Sequence, residues 1–141
     1  LLELVRQIET YWRFIEHNYK IVRMEYKFTT NPYGQKNMSD KMFGIDVATL
    51  SQEDWALEGI GWDEWTVEEI QMIIDESKAL QGNQEYTYQI AGSDLMIIVD
   101  KPLGAYFFSA RSEKEEADII WSFDKFIDFM EQFKAFVREN S

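Results

Sequence analysis

The sequence predicts an α+β domain in which an antiparallel sheet is covered by helices. The apolar period changes along the chain from about 3.6 residues to two and back, which indicates alternating helices and strands. Hairpin-length stretches join the neighbouring predicted strands and leave little room for the crossovers that parallel strands need. A chain of 141 residues is normally one domain. We therefore expect a single domain over residues 1–141, with a sheet of about five strands, a hairpin plus a meander, covered by an N-terminal, a central and a C-terminal helix.

The first predicted elements are a helix and a hairpin. Residues 1–19 carry apolar side chains on one helical face and charges mostly on the other. From Val22 to Phe28 apolar and charged residues alternate, which is typical of a half-buried antiparallel strand. A turn at residues 31–34 follows, and residues 42–50 are predicted to be the returning strand of a long-looped hairpin. The apolar face of the helix consists of Leu1, Val5, Ile8, Trp12, Ile15 and Tyr19.

The central helix is predicted from its first turn. Residues 66–69 have the S/T-x-x-E form of a capping box, so Thr66 should open a helix. Gly82 is predicted to end it, because glycine is common just past a helix C-terminus. The inward side chains are expected to be Val67, Ile70, Ile73, Ile74 and Leu80.

The second half of the chain predicts a meander and a final helix. Its strands are expected at residues 85–90, 95–99 and 105–110, with a short further strand at residues 119–121. The turns between the first three are short enough for hairpins. Ser122 is predicted to cap the last helix, whose wide apolar stripe should press on the sheet. That stripe consists of Phe123, Phe126, Ile127, Phe129, Met130, Phe133, Phe136 and Val137.

Composition indicates an ordered core and excludes several kinds of site. Apolar residues make up 45% of the chain and aromatics 16%, which argues against a disordered acidic chain. The absence of Cys removes disulfides, thiolate nucleophiles and thiolate zinc sites. The longest apolar run, Leu95–Val99, is far shorter than the ~20 residues that span a bilayer, and charges interrupt residues 1–19 where a signal peptide would be apolar. We expect a soluble, cytoplasmic protein with no cofactor, metal site or membrane contact.

Negative charge is concentrated in one stretch of the chain. The net charge is -12, yet the stretch from Met42 to Ser77 contains no Lys, Arg or His at all. The same stretch holds three of the five tryptophans, on backbone with weak periodicity. Its acids are Asp46, Glu53, Asp54, Glu58, Asp63, Glu64, Glu68, Glu69, Asp75 and Glu76.

Indoles next to carboxylates on irregular backbone are typical of binding surfaces, where aromatic side chains anchor a partner and charge steers its approach. The sequence therefore predicts an outward-facing acidic, Trp-rich surface that binds a basic protein partner. The predicted surface consists of Asp54, Trp55, Glu58, Trp62, Asp63, Glu64 and Trp65.

A purely structural interpretation of the same residues stays open. Acids such as Glu68 and Glu69 in a helix's first turn are favoured by the helix dipole alone, and surplus acid often serves only solubility. Trp55 and Trp65 would then be ordinary core residues under a long connection. A calcium loop is not indicated, because the acids lack the D-x-D-x-D-G spacing.

No catalytic residues are predicted. His17 has no second His or Cys with which to bind a metal, and the chain has no nucleophile elbow, P-loop or G-x-G-x-x-G motif. A hydrolase with two acidic residues stays open as a weak alternative, because the sequence does not give the separation of any carboxylate pair. Direct nucleic-acid binding is not expected, since Lys20, Arg23 and Lys27 form no basic cluster and Glu25 lies among them.

The chain resembles two known kinds of bacterial protein, one through sequence segments and the other through its general character. The segments EYTYQIAGSDLMIIV (residues 85–99) and FDKFIDFMEQFKAFV (residues 123–137) resemble the C-terminal half of the small bacterial YacL-like proteins, whose N-terminus is similar to MEYKFT at residues 24–29. The resemblance lies in scattered pieces without a catalytic motif, and it implies a fold. It also implies the alternative function, a cytoplasmic housekeeping protein without catalytic activity.

The second resemblance is one of general character. A small, acidic, Cys-free, aromatic-rich α+β chain is similar to the immunity proteins of bacterial toxin systems, including contact-dependent growth inhibition. Those proteins bind the toxic domain of a cognate effector, commonly a basic nuclease, and block its active site or substrate groove. The resemblance implies an immunity protein whose partner is a basic toxin domain, and no site residue is carried over because immunity proteins share no signature.

Overall fold

The computed structural model describes residues 26–34 and 41–141, together with residues 3, 4 and 6–8. Antiparallel strands and helices make up this part of the chain, which confirms the α+β class. The strands are β1 (Phe28–Thr29), β2 (Gly44–Ile45), β3 (Tyr86–Gln89), β4 (Leu95–Asp100), β5 (Gly104–Ser109) and β6 (Ile119–Trp121). The central helix covers Val67–Lys78, the C-terminal helix covers Phe123–Asn140, and 3-10 helices cover Val47–Thr49 and Trp55–Ile60.

The meander is confirmed as a four-stranded antiparallel sheet in the order β3-β4-β5-β6. Its register pairs Tyr86 with Val99 and Leu95 with Ser109, so each strand returns directly alongside the one before it. Within the described residues, β1 and β2 form a separate two-stranded sheet. In the part of the chain that the structure describes, the predicted single sheet is therefore two sheets, and the hairpin is separate from the meander.

The predicted strand over residues 42–50 is wrong beyond Ile45. The Asp46 side chain accepts a hydrogen bond from the Ala48 N–H (3.1 Å), and the Asp46 carbonyl accepts one from the Thr49 N–H (2.9 Å). These local bonds turn the backbone into the 3-10 helix, because aspartate offers the chain an alternative to a strand ladder. Ahead of β2, Phe43 pairs with Trp62 in an isolated antiparallel bridge.

The predictions for the N-terminal region are tested only in part. Residues 3, 4 and 6–8 are helical, as predicted, and Leu4 and Ile8 are exposed. The remainder of the predicted helix and residues 22–25 of the predicted strand lie outside the described residues. Tyr26 precedes β1, and its ring lies 5.6 Å from the Phe129 ring, so this end of the hairpin packs on the C-terminal helix.

Both predicted helix caps are confirmed. The Thr66 hydroxyl accepts a hydrogen bond from the Glu69 N–H (3.0 Å), and the Ser122 hydroxyl accepts one from the Lys125 N–H (3.2 Å). The prediction that Gly82 ends the central helix is wrong. The helix ends at Lys78, and Gly82, with a φ of +56°, belongs to the next turn.

The core lies between the meander and the two helices. Fully buried aromatic rings of the C-terminal helix meet Phe107 of β5 and Trp121 of β6, with a separation of 5.0 Å between the Trp121 and Phe129 centroids. Ile70, Ile73 and Ile74 of the central helix are completely buried, as predicted. The outer members of both predicted stripes are only partly buried against this core; they are Val67, Leu80, Phe123, Ile127 and Phe136.

The opposite face of the meander is also apolar. Met96 of β4 lies opposite Phe108 of β5, and Tyr106 of β5 lies between Ile98 and Ile120 on its neighbouring strands. The first four of these side chains are partly buried, and Ile120 is 60% exposed. The central strands therefore do not alternate apolar with polar residues, as the strands of a sheet with one solvated face usually do. No helix in the part of the chain that the structure describes is long and apolar enough to cross a membrane.

Candidate functional site

The 3-10 helix Trp55–Ile60 carries most of the candidate site. Ala56, Leu57 and Ile60 turn into the core, while Trp55 lies on the other side and is 41% exposed. The backbone is held directly on the meander, because the Ser93 hydroxyl donates a hydrogen bond to the Gly59 carbonyl (2.6 Å). This packing gives the exposed indole a fixed support.

A cleft of about 300 Å³ opens beside this indole, between the 3-10 helix, the β1–β2 hairpin and the turn that joins β3 to β4. We call it the Trp55 cleft. Its apolar and aromatic walls are Tyr33, Met42, Trp55 and Trp62. Its charged lining consists of Glu58, Asp63, Asp94 and Arg111.

One guanidinium lies among the three carboxylates of the cleft. Arg111 Nη1 is 3.2 Å from Glu58 Oε1, and Arg111 Nε is 2.9 Å from Asp94 Oδ2. The Arg111 side chain is 59% exposed, so both ion pairs lie at the mouth of the cleft and are screened by solvent. Asp63 forms no ion pair with a described residue, and the charged lining carries a formal net charge of -2 from three carboxylates and one guanidinium.

Tyr33 contributes a neutral hydroxyl to the wall. It donates a hydrogen bond to the Glu58 carbonyl at 3.3 Å. Burial raises the pKa of Tyr33 above its usual value, and the negative charge of Glu58 raises it further, while Arg111 acts in the opposite direction. The phenol therefore stays protonated through the neutral range, and the carboxylates supply the negative charge.

The structure brings together four of the seven residues predicted for the binding surface. Trp55, Glu58, Trp62 and Asp63 all line the Trp55 cleft. Asp54 does not line it and instead accepts a hydrogen bond from the Ser51 hydroxyl (3.2 Å). The exposed Glu64 lies in the same turn as Asp63 but is also outside the lining.

The expectation that Trp65 faces outward is wrong. Only 4% of Trp65 is exposed, and its indole N–H donates a hydrogen bond to the Ile60 carbonyl (2.7 Å). The ring packs edge-on against Trp62 and Phe133, at centroid distances of 5.1 and 5.4 Å. Of these three tryptophans, Trp55 and part of Trp62 are therefore accessible at the surface, while Trp65 packs behind Trp62 in the core.

Sequence reasoning missed the residues that other segments bring to the cleft. Asp94 lies between the predicted strands at residues 85–90 and 95–99, and Arg111 directly follows the predicted strand at residues 105–110; neither belongs to the predicted surface. They meet because Leu95 pairs with Ser109, which places the turn before β4 next to the end of β5; the Ala110 N–H donates to the Asp94 carbonyl (2.8 Å). The predicted meander implies this proximity, and its register was the usable signal.

A second, more open recess lies on the other side of Trp55. It has a volume of about 570 Å³, and its charged lining is Glu53, Lys114 and Asp118. Burial alone would raise the pKa of the Asp118 carboxyl, but hydrogen bonds from Ser112 and from the Ser109 N–H, together with nearby Lys114, lower it below its usual range. Trp55 is therefore a ridge between two recesses that both carry carboxylates.

The described residues of this region do not indicate a metal site. Among the residues that the structure describes, no three His, Cys, Asp or Glu side chains are grouped in a way that could hold a metal ion. The chemistry available in the Trp55 cleft is hydrogen bonding, ion pairing and contact with aromatic faces.

Comparison of the chain with protein-family models, with curated proteins and with solved structures gave no significant match. The roles of the residues in the cleft are therefore inferred from its geometry and charge.

Proposed function

We propose that this chain is an inhibitory binding protein of the immunity type, which neutralises a basic toxin domain through the surface around Trp55. The observation that carries the proposal is the ridge: an indole 41% exposed, on a 3-10 helix packed against the core, between two recesses with acidic linings. Tryptophan is enriched among the residues that dominate binding energies, particularly where a surrounding rim excludes water.

Charge would bring such a partner to this surface. The net charge of -12 attracts basic proteins over distance, and Asp63 and Glu64 are both exposed beside the cleft. Carboxylates can take the place of nucleic-acid phosphates against the Lys and Arg side chains of a nuclease. The proposed inhibition is therefore electrostatic and steric, with no chemical step.

The position of the gene would identify the partner. An immunity gene of this type is expected directly downstream of the gene for a large secreted effector, so the basic C-terminal domain of that effector is the protein to test. A pulldown should recover the two chains in equimolar amount. A housekeeping role of the YacL-like kind predicts no such neighbouring effector and no such complex.

Charge reversal of Asp63 and Glu64 to lysine together should slow association with the effector domain by about tenfold or more at low salt, because steering by complementary charge acts mainly on the association rate. Both side chains are exposed, so the fold should be unaffected. Stopped-flow fluorescence measures the rate, and circular dichroism checks the fold.

The matched control reverses Glu76 and Glu85, which are exposed and line neither recess. It changes the net charge by the same amount at another place. Equal association rates for the Asp63/Glu64 variant and the unmodified chain would remove this surface from the proposal. Equal slowing by both double variants would show that only total charge matters.

A further inference from the structure

We propose that the Trp55 cleft is an arginine-binding site, in which Arg111 holds the place of a guanidinium supplied by the partner. The inference rests on the proposed function for the identity of that partner. It adds the type of side chain that is recognised, and it assigns Arg111 a role as a displaceable internal occupant.

The chain itself shows that the cleft accepts a guanidinium. Arg111 presents Nη1 to Glu58 and Nε to Asp94, which are different nitrogens of the same planar group. Those two carboxylates come from separate segments, one from the 3-10 helix and one from the turn before β4. A guanidinium has donors spread around its plane and can bridge two such acceptors, whereas an ammonium is a compact point charge.

The walls of the cleft suit the flat faces of the same group. Trp55 and Tyr33 are each about two-fifths exposed, at 41% and 42%, and Trp62 is partly buried beside them. Aromatic rings attract cations over their faces, and arginine also stacks on them. These rings would bind the stem and the plane of an incoming arginine, and the carboxylates would bind its edge.

Arg111 is held by ion pairs that are partly open to solvent, and among the described residues it leaves Asp63 without an ion pair. The Arg111 and Asp94 side chains are 59% and 50% exposed, and Glu58 is 21% exposed; ion pairs that keep such access to solvent typically contribute little net stability. Asp63 lines the same cleft without an ion pair to any described residue, so an incoming guanidinium gains a carboxylate that Arg111 does not use. Displacement of Arg111 therefore exchanges solvent-screened contacts for similar contacts plus those with Asp63 and the aromatic walls.

The test uses a short peptide, acetyl-Gly-Arg-Gly-amide, and the matching citrulline peptide, which has nearly the same shape but no charge. Binding is followed through the indole N–H signals of the labelled full chain. We expect the arginine peptide to shift the signals of Trp55 and Trp62 and the citrulline peptide to leave them in place. The buried Trp65 signal should move less than either.

Arg111→Gln should tighten binding of the arginine peptide, by roughly three- to tenfold, because it removes the competing guanidinium. Lys114→Gln removes the same charge from the same loop but lines the second recess and not the cleft, so it should tighten binding less than about twofold by general electrostatics alone. Asp63→Asn should weaken binding, whereas Glu64→Gln next to it should have little effect.

Equal tightening by the Arg111 and Lys114 variants, or weaker binding by the Arg111 variant, would overturn the inference. So would equal binding of the arginine and citrulline peptides. If the effector domain binds in a Asp63/Glu64-dependent way while Arg111→Gln has no effect on the peptide, the arginine site fails and the proposed function stands. If the peptide results are as expected and no effector domain binds, the proposed function fails and the arginine site stands.

Discussion

Trp65→Ala should lower the free energy of unfolding by about 3–5 kcal/mol, the usual cost of truncating a buried aromatic side chain. The ring is almost fully buried and contacts both Trp62 and Phe133, so its removal leaves a cavity where the Trp-rich segment meets the C-terminal helix. The Ile60 carbonyl would also lose the hydrogen bond that it accepts from the indole N–H. Equilibrium unfolding in urea measures the change.

Trp55→Ala is the matched comparison within the same segment. Its indole is 41% exposed, so we expect a loss of about 1 kcal/mol or less. For binding of the partner we expect the opposite order: Trp55→Ala should weaken binding more than Trp65→Ala, because Trp55 lies on the proposed surface and Trp65 lies beneath it. Similar unfolding free energies for the two variants would contradict the division into one supporting and one exposed tryptophan.

Gly104→Ala should be the most damaging small substitution in the meander, with a loss of at least about 3 kcal/mol. Gly104 has a φ of +116°, which residues with a Cβ rarely adopt, and a Cβ built there would lie 2.0 Å from the Trp121 carbonyl oxygen. That carbonyl belongs to the neighbouring strand, so the clash cannot be relieved by rotating a side chain. The pairing of β5 with β6 would have to shift, and thermal or urea unfolding would detect it.

Gly82→Ala separates the cost of the positive φ from the cost of the clash with the Trp121 carbonyl oxygen. Gly82 also has a positive φ, +56°. A Cβ there would have no heavy atom within 4 Å, apart from those of Gly82 itself and of the residues on either side of it. Its expected cost is therefore only the conformational one, about 1–2 kcal/mol. An equal loss for both glycine variants would show that the approach of Trp121 to Gly104 contributes nothing.

Local chemistry made the helices and the meander predictable. Thr66 and Ser122 each place a hydroxyl where the first turn of a helix has unpaired N–H groups, and that geometry depends on only a few consecutive residues. The strand periods and short turns of residues 85–110 are local in the same way. These features did not depend on knowing which parts of the chain meet.

The features that sequence reasoning missed depend on contacts between distant segments. The outward or inward direction of Trp65 is decided by its packing on Phe133, which follows it by more than sixty residues. The place of Arg111 depends on the pairing of β4 with β5 and on Glu58 of the 3-10 helix. The break at Asp46 is the exception, since an aspartate that bonds to the backbone two residues ahead is a local turn signal.

Because Trp65 is buried, the proposed surface loses one tryptophan but keeps the others. The cleft keeps two indoles and two acids of the predicted set and gains Asp94, Arg111 and Tyr33. The gained arginine makes the site less negative than the sequence suggested, yet it also identifies the kind of group that the site can hold. Binding strength should then depend on the exchange of one guanidinium for another as well as on total charge.

We propose that the face around Trp55 contacts the basic partner, and a titration of the full chain with the effector domain tests this claim at each tryptophan. The indole N–H signals of the tryptophans report on each position separately. We expect the signals of Trp55 and Trp62 to shift or broaden at substoichiometric partner, with smaller changes at the buried Trp65 and Trp121. Saturable binding that leaves Trp55 and Trp62 unchanged would contradict the claim.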